Sequence, residues 1–118
     1  MGFSTQIVLK GHMSVPDICH RIRTSYVLGD VSARPQRSAD HWVVEFRDAN
    51  GEWRAIDLFL NSSCSFDYPE LHVAESTLLS LEVGPTSEAI LKAAAAGGTA
   101  WFRRHEGLEW ESLGGTTA

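Results

Sequence analysis

Three things are missing from this chain: an apolar run long enough to span a bilayer, a set of cysteines able to form a disulfide framework, and a glycine-rich phosphate loop. Each absence closes a class of function. A membrane-crossing helix needs about 20 consecutive apolar residues, and no stretch of the 118 approaches that. With only two cysteines, folding must rest on a core, which a chain of this length with 43% hydrophobic residues can build without metal or disulfide. The opening MGFSTQIVLKGHM has neither a basic n-region nor a continuous apolar h-region, so no secretory signal and a cytoplasmic location are expected. Met13 is a second candidate for the native start because GHM precedes it, but the strand-like TQIVLKG ahead of it favours Met1.

Metal and cofactor sites are not expected either. His12, Cys19 and His20 supply ligand types, yet neighbouring helix residues point about 100° apart, so Cys19 and His20 cannot readily face one ion. No CxxC or HxxxH spacing occurs, and Cys19 reads as a small buried apolar side chain. Neither a Walker pattern nor G-x-G-x-x-G is present, and Gly97-Gly98 follow a helix pattern where phosphate-cradling glycines would precede one.

Charge is present but lopsided. Residues 1–59 carry seven Lys/Arg and seven Asp/Glu, whereas residues 60–118 carry three and eight, which is the whole net charge of −5. An acidic surface repels phosphate backbones and attracts basic ones, so the expected partner is another protein with a basic surface, not nucleic acid or a membrane. Arg21, Arg23, Arg34 and Arg37 read as solvated charges.

Patterning gives the elements. TQIVLKG reads as a strand; Ser14, Pro16 and Asp17 then cap and open a helix whose apolar stripe is Val15, Ile18, Cys19, Ile22 and Tyr26, stopping at Gly29. DVSARPQRSAD reads as a loop with at most a short strand near Val31. From His41 the period becomes two, and Asn50-Gly51 turns the chain into EWRAIDLFL, a β-hairpin. An irregular connection over NSSCSFDYPELHVAES leads to a strand at TLLSLEV. Gly84-Pro85 and a Thr86 cap then open an alanine-rich helix with a Glu88–Lys92 pair on its wet side. TAWFRR and LEWESL pair across HEG. Two strand-turn-helix-strand units thus flank a hairpin. The expected fold is α+β, a two-layer sandwich with two helices on one face of a mostly antiparallel sheet. In outline it is ferredoxin-like with an inserted β-hairpin; residues 1–113 form one domain and 114–118 a disordered tail.

Candidate sites are few. Cys64 in SSCSFD, with His72 eight residues on, is the one arrangement from which a small Cys-dependent hydrolase or transferase can be imagined, but no G-x-S-x-G elbow or oxyanion loop accompanies it. Four tryptophans are many for this length. Trp42 alternates with Val44 and Phe46 and reads as core, while Trp53 and Trp110, the latter between Glu109 and Glu111, have fewer apolar companions and are candidate partner-binding residues.

The run TLLSLEVGPTSEAILKAAAAGGTAWF, residues 77–102, resembles small uncharacterised bacterial and phage α+β proteins of unknown function. The likeness is carried by Leu79, Ser80, Leu81, Gly84, Ser87, Ala89, Ile90, Gly97, Gly98 and Trp101. It implies a strand-turn-helix-strand unit and such an origin, and no activity. The expectation from the whole chain is a non-catalytic, acidic protein-binding module, an immunity-like or inhibitory partner of another macromolecule. The alternatives are the Cys64 enzyme and a structural or assembly subunit that pairs through a sheet edge as a homodimer or larger homo-oligomer.

Overall fold

The computed structural model describes residues 3–11, 13–25, 29–36, 40–62, 76–84, 86–95, 98–105 and 107–113. They run β1 (Ser4–Lys10), α1 (Val15–Ser25), β2 (Gly29–Pro35), β3 (His41–Arg47), β4 (Trp53–Ser62), β5 (Ser76–Glu82), α2 (Ser87–Ala95), β6 (Ala100–Arg103) and β7 (Glu111–Leu113). The strands form one sheet in the order β2-β3-β4-β5-β1-β6-β7, every neighbouring pair antiparallel. This is an α+β fold with a seven-stranded antiparallel sheet and two helices. No described helix is long and apolar enough to cross a membrane.

Alternation decides which side of the sheet is dry. Ile7 and Leu9 of β1, Val44 and Phe46 of β3, Ile56 and Leu58 of β4, Leu79 and Leu81 of β5 and Ala100 and Phe102 of β6 are all buried in one cluster. Ile18 and Ile22 of α1 and Ile90, Leu91 and Ala94 of α2 join the same cluster, so the helical stripes and the inward strand residues share a single core. Arg21 of α1 ties the two helices, its Nη1 donating to the Ala94 carbonyl at 2.9 Å. Above β6, the Lys92 ammonium of α2 lies 4.7 Å from the Phe102 ring centroid.

Local chemistry accounts for the boundaries. Ser14 Oγ accepts from the Asp17 amide at 3.3 Å, the cap that the sequence indicates. The β3–β4 hairpin closes through Asp48, whose amide donates to the Glu52 carbonyl and whose carbonyl accepts from Gly51. Its Oδ1 accepts from the amides of Asn50 (2.9 Å) and Glu52 (3.0 Å), which satisfies a carboxylate only 7% exposed. The loop is three residues long, with Gly51 at φ 81°, the left-handed position that closes a type I turn with a bulge and that a side chain would strain.

The segment expected to be a loop holds a full edge strand instead. In β2, Val31 and Ala33 pack against the core while Asp30, Ser32 and Arg34 are exposed, an alternation too weak and too polar to stand out beside Pro35. Proline is tolerated because the strand is outermost. The Gln36 amide donates inward to His41, so by alternation the position of Pro35 faces away from β3, where its missing N–H costs no ladder bond. The same edge carries a register shift between Gly29 and Ser32, Asp30 at φ 51°, and Arg23 Nη2 donating to the Val31 carbonyl at 3.1 Å. The opposite edge, β7, is three residues long. Bulges, proline, capped carbonyls and short length are the usual devices that keep a sheet from adding strands.

Candidate interaction surface

Antiparallel order brings together, at one end of the sheet, the beginnings of β4 and β1 and the ends of β5 and β6. All four exposed large hydrophobic residues among those described lie at this end: Trp53 opens β4, Val83 follows β5, Phe3 precedes β1 and Leu108 lies in the β6–β7 connection, with exposures of 58, 46, 61 and 45%. Backbone and ring contacts link three of them, Phe3, Val83 and Leu108. The Val83 amide donates to the Phe3 carbonyl at 3.0 Å, the Phe3 ring lies 5.6 Å from that of His105, and the Leu108 amide donates to the His105 carbonyl. Phe3, Val83 and Leu108 therefore stand together where β5 and β6 end and β1 begins, while Trp53, whose strand buries Ile56 and Leu58 and exposes Ala55 and Asp57, stands at the same end on the outer face. Single exposed apolar residues are ordinary, whereas a group of them is the usual mark of an interface.

The charges around this group are not balanced. Arg47 stacks over Trp53, 4.8 Å from the ring centroid, and pairs with Asp30 at 3.0 Å; Arg104 pairs with Glu88 at 3.2 Å. Arg54 is locked onto the start of α2: Nη1 donates to Thr86 Oγ1 (3.0 Å), and Nη2 donates to Ser87 Oγ (2.6 Å) and the Glu82 carbonyl (2.8 Å). Thr86 thus stands at the cap position, but its hydroxyl serves Arg54, and Ser87 Oγ in turn donates to the Glu82 carbonyl at 2.6 Å. Gly84 makes room for this, since a Cβ there would lie 3.1 Å from Arg54 Nη2. The basic groups at this end are thereby neutralised or committed. Glu52, Glu82, Glu109 and Glu111 are exposed and form no ion pair among the described residues, so the rim is acidic. Glu88, in the first turn of α2, is held ionised below the usual carboxylate range, chiefly by its 2.8 Å bond from Lys92.

The sequence candidates fall unevenly on this surface. Trp53 is its most exposed aromatic apart from Phe3. Trp110 is half-buried, with the Arg103 guanidinium 4.3 Å from its ring centroid while Arg103 Nε donates to Gln6 Oε1 at 2.7 Å. Glu109 and Glu111 are exposed beside it. Phe3 and Leu108 carry no signal in the sequence, because each is a lone apolar residue beside a turn, and Val83 reads only as the last residue of the strand TLLSLEV; the strand order makes them neighbours. Cys64 and His72 lie outside the described residues, as does His12. Of the arginines read as solvated, Arg21 and Arg23 are tethers to α2 and β2, Arg34 pairs with Glu45 at 2.9 Å, and Arg37 lies outside the described residues.

Cys19 is 9% exposed in the core cluster, and burial pushes its thiol above the ordinary value, with Arg23 opposing. In a Cys64→Ser chain, the Cys19 thiol is expected to react with a disulfide reagent at neutral pH far more slowly than in the denatured chain, and its thiolate to appear at higher pH than that of free cysteine. Reaction as fast as in the denatured chain would mean that α1 opens readily. Among the described residues, no group of three or more His, Cys, Asp or Glu side chains is placed to hold a metal ion.

Compared with models of protein families, with curated proteins and with solved structures, the chain matches none.

Proposed function

We propose that this chain is a non-catalytic protein-binding module of bacterial or phage origin, an immunity-like or inhibitory partner that docks on the basic surface of another protein through the end of its sheet. The observation that carries the reading is the gathering of Trp53, Val83, Phe3 and Leu108, the exposed large hydrophobic residues among those described, at one end of the sheet with an acidic rim. Apolar centre and charged margin are what a stable interface needs: the centre contributes most of the affinity, and the rim steers encounter and selects partners of opposite charge. We read the fold in the same terms, as a two-layer sandwich with both helices on one face. We read its strand order as a ferredoxin-like unit, β6-β1-β5 and β2, with the β3–β4 hairpin inserted between β5 and β2 and β7 added outside. Cytoplasmic action fits the same reading. The alternative of an enzyme centred on Cys64 and His72 falls on residues outside those described, and the blunted edges weigh against assembly through the sheet edge.

The test starts with the full chain as bait in lysate of its native host, identification of what it retains, and calorimetry with that protein purified. A basic partner is expected, with affinity falling as salt rises. Trp53→Ala with Leu108→Ala should weaken binding by about tenfold or more while leaving the melting temperature within a few degrees. Binding indifferent to both salt and the double substitution would sink the proposal.

A further inference from the structure

The side of the sheet away from the helices has a notch in it. Along β4 on that side run Trp53, Ala55, Asp57 and Phe59, and Ala55, exposed and bearing only a methyl group, sits between the indole and a carboxylate. Directly across on β3 is Glu45; on β5, one step beyond the Ile56–Leu81 pair, the register brings Glu82 alongside. The result is an open concavity of about 340 Å³ lined by Glu45, Trp53, Arg54 and Ala55. Its floor is a methyl group and one wall is an indole. The Glu45 carboxylate lines it, and the strand register sets Asp57 and Glu82 beside Ala55 at its margin.

We propose that this notch receives a lysine or arginine side chain of the partner protein, its methylene stem lying over Ala55 and against Trp53 and its cationic head among Glu45, Asp57 and Glu82. The inference rests on the protein-binding function proposed above and gives that partner a chemistry. Two features of the notch select a cation. The indole already holds one, since Arg47 stacks on it at 4.8 Å, so the ring is electronically suited to a second at its remaining surface. The carboxylates are either unpaired among the described residues, as Glu82 is, or held in loose exposed pairs. Glu45 bonds an Arg34 side chain that is 64% exposed, and Asp57, itself 54% exposed, bonds His41. Such pairs contribute little, and a partner's cation can replace or join them at small cost. Among the described residues, the chain's own Arg34, His41 and Arg47 stand at the margins in exposed contacts with Glu45, Asp57 and Trp53, and Arg54 lines the concavity but commits its terminal nitrogens to Thr86, Ser87 and the Glu82 carbonyl. An anion would meet three carboxylates, and a purely apolar side chain would leave them desolvated without a partner.

The notch can be probed without the partner. Nα-acetyl-lysine methylamide, the arginine counterpart and the uncharged norleucine counterpart are titrated into the full, isotopically labelled chain while amide and indole N–H resonances are followed. The two cationic probes are expected to give saturable shifts of millimolar order, confined to Glu45, Trp53, Ala55 and Asp57 and diminished by salt, with norleucine giving none. Ala55→Leu fills the notch from an exposed position and should abolish the saturable shifts with melting unchanged; Glu45→Gln, which keeps the shape, should weaken them several-fold. Shifts scattered over all acidic residues, equal shifts with norleucine, or saturable binding that survives Ala55→Leu would each overturn the proposal. Capture of a protein partner that depends on Trp53 and Leu108 but not on Ala55 would also overturn it and leave the broader function standing. Loss of all capture would instead remove that function.

Discussion

Replacing Phe46 with alanine is expected to cost about 3–5 kcal/mol of unfolding free energy, enough to bring a domain of this size to the edge of unfolding at room temperature. Phe46 has no exposed surface and is among the largest fully buried side chains. It is also the last inward residue of β3 before the hairpin turn, paired across the ladder with Arg54. Removing the ring takes away its transfer free energy and leaves a cavity under the hairpin that strand hydrogen bonds keep from collapsing. The check is a urea titration of wild type, Phe46→Ala and Phe46→Leu, with the midpoint falling most for alanine and the leucine variant, which keeps much of the volume, well above it. A loss below about 1 kcal/mol for alanine would mean that the ring packs against little.

Arg54→Met should be the most damaging change to a charged residue, lowering stability by about 2 kcal/mol. Three donor bonds join the start of β4 to the start of α2 and the end of β5, and methionine keeps the stem while removing all of them. Ser87, fully buried, retains its bond to the Glu82 carbonyl, which limits the loss. Arg54→Lys is expected to recover less than half, because an ammonium lacks the planar fork that reaches Thr86 and Ser87 together. Chemical denaturation gives the size of the effect, and hydrogen exchange locates it: amides of the first turn of α2 should exchange faster while those of β1 do not. Full rescue by lysine would reduce the arrangement to a simple charge effect.

What could be read from the sequence is what short-range chemistry decides. Asn50-Gly51 between alternating runs, Ser14 three residues before Asp17, and the pairing of Glu88 with Lys92 all depend on residues within one turn of each other, and all appear in the structure. The strand of residues 29–35 was hidden because an outer strand needs only one weakly apolar side, and Val31 and Ala33 provide barely that. Arg54 and the apolar group were hidden for another reason. Both depend on which strands are neighbours: nothing local to Phe3 or Leu108 says that β1 will lie between β5 and β6. Trp53 was legible as a candidate because its strand begins at a recognisable turn. Trp110 has the same sparse apolar surroundings in the sequence, but Arg103, brought beside it by the β6–β7 pairing, stacks on its ring.

The inner place of β1 also bears on how the molecule comes into being on a ribosome. Ile7 is made long before its ladder partners Leu79 and Phe102, so β1, with β5 and β6 on its two sides, waits for about seventy residues of chain before either flank is covered. The β3–β4 hairpin can close early on its own turn, but the core cannot assemble around β1 until residues of β5, α2 and β6 have emerged together. Folding is therefore a late, concerted event governed by long loop closures and not a stepwise accretion from the N-terminus, and until then five consecutive residues, Thr5 to Leu9, that are buried in the finished protein stand bare to whatever else is in the cell.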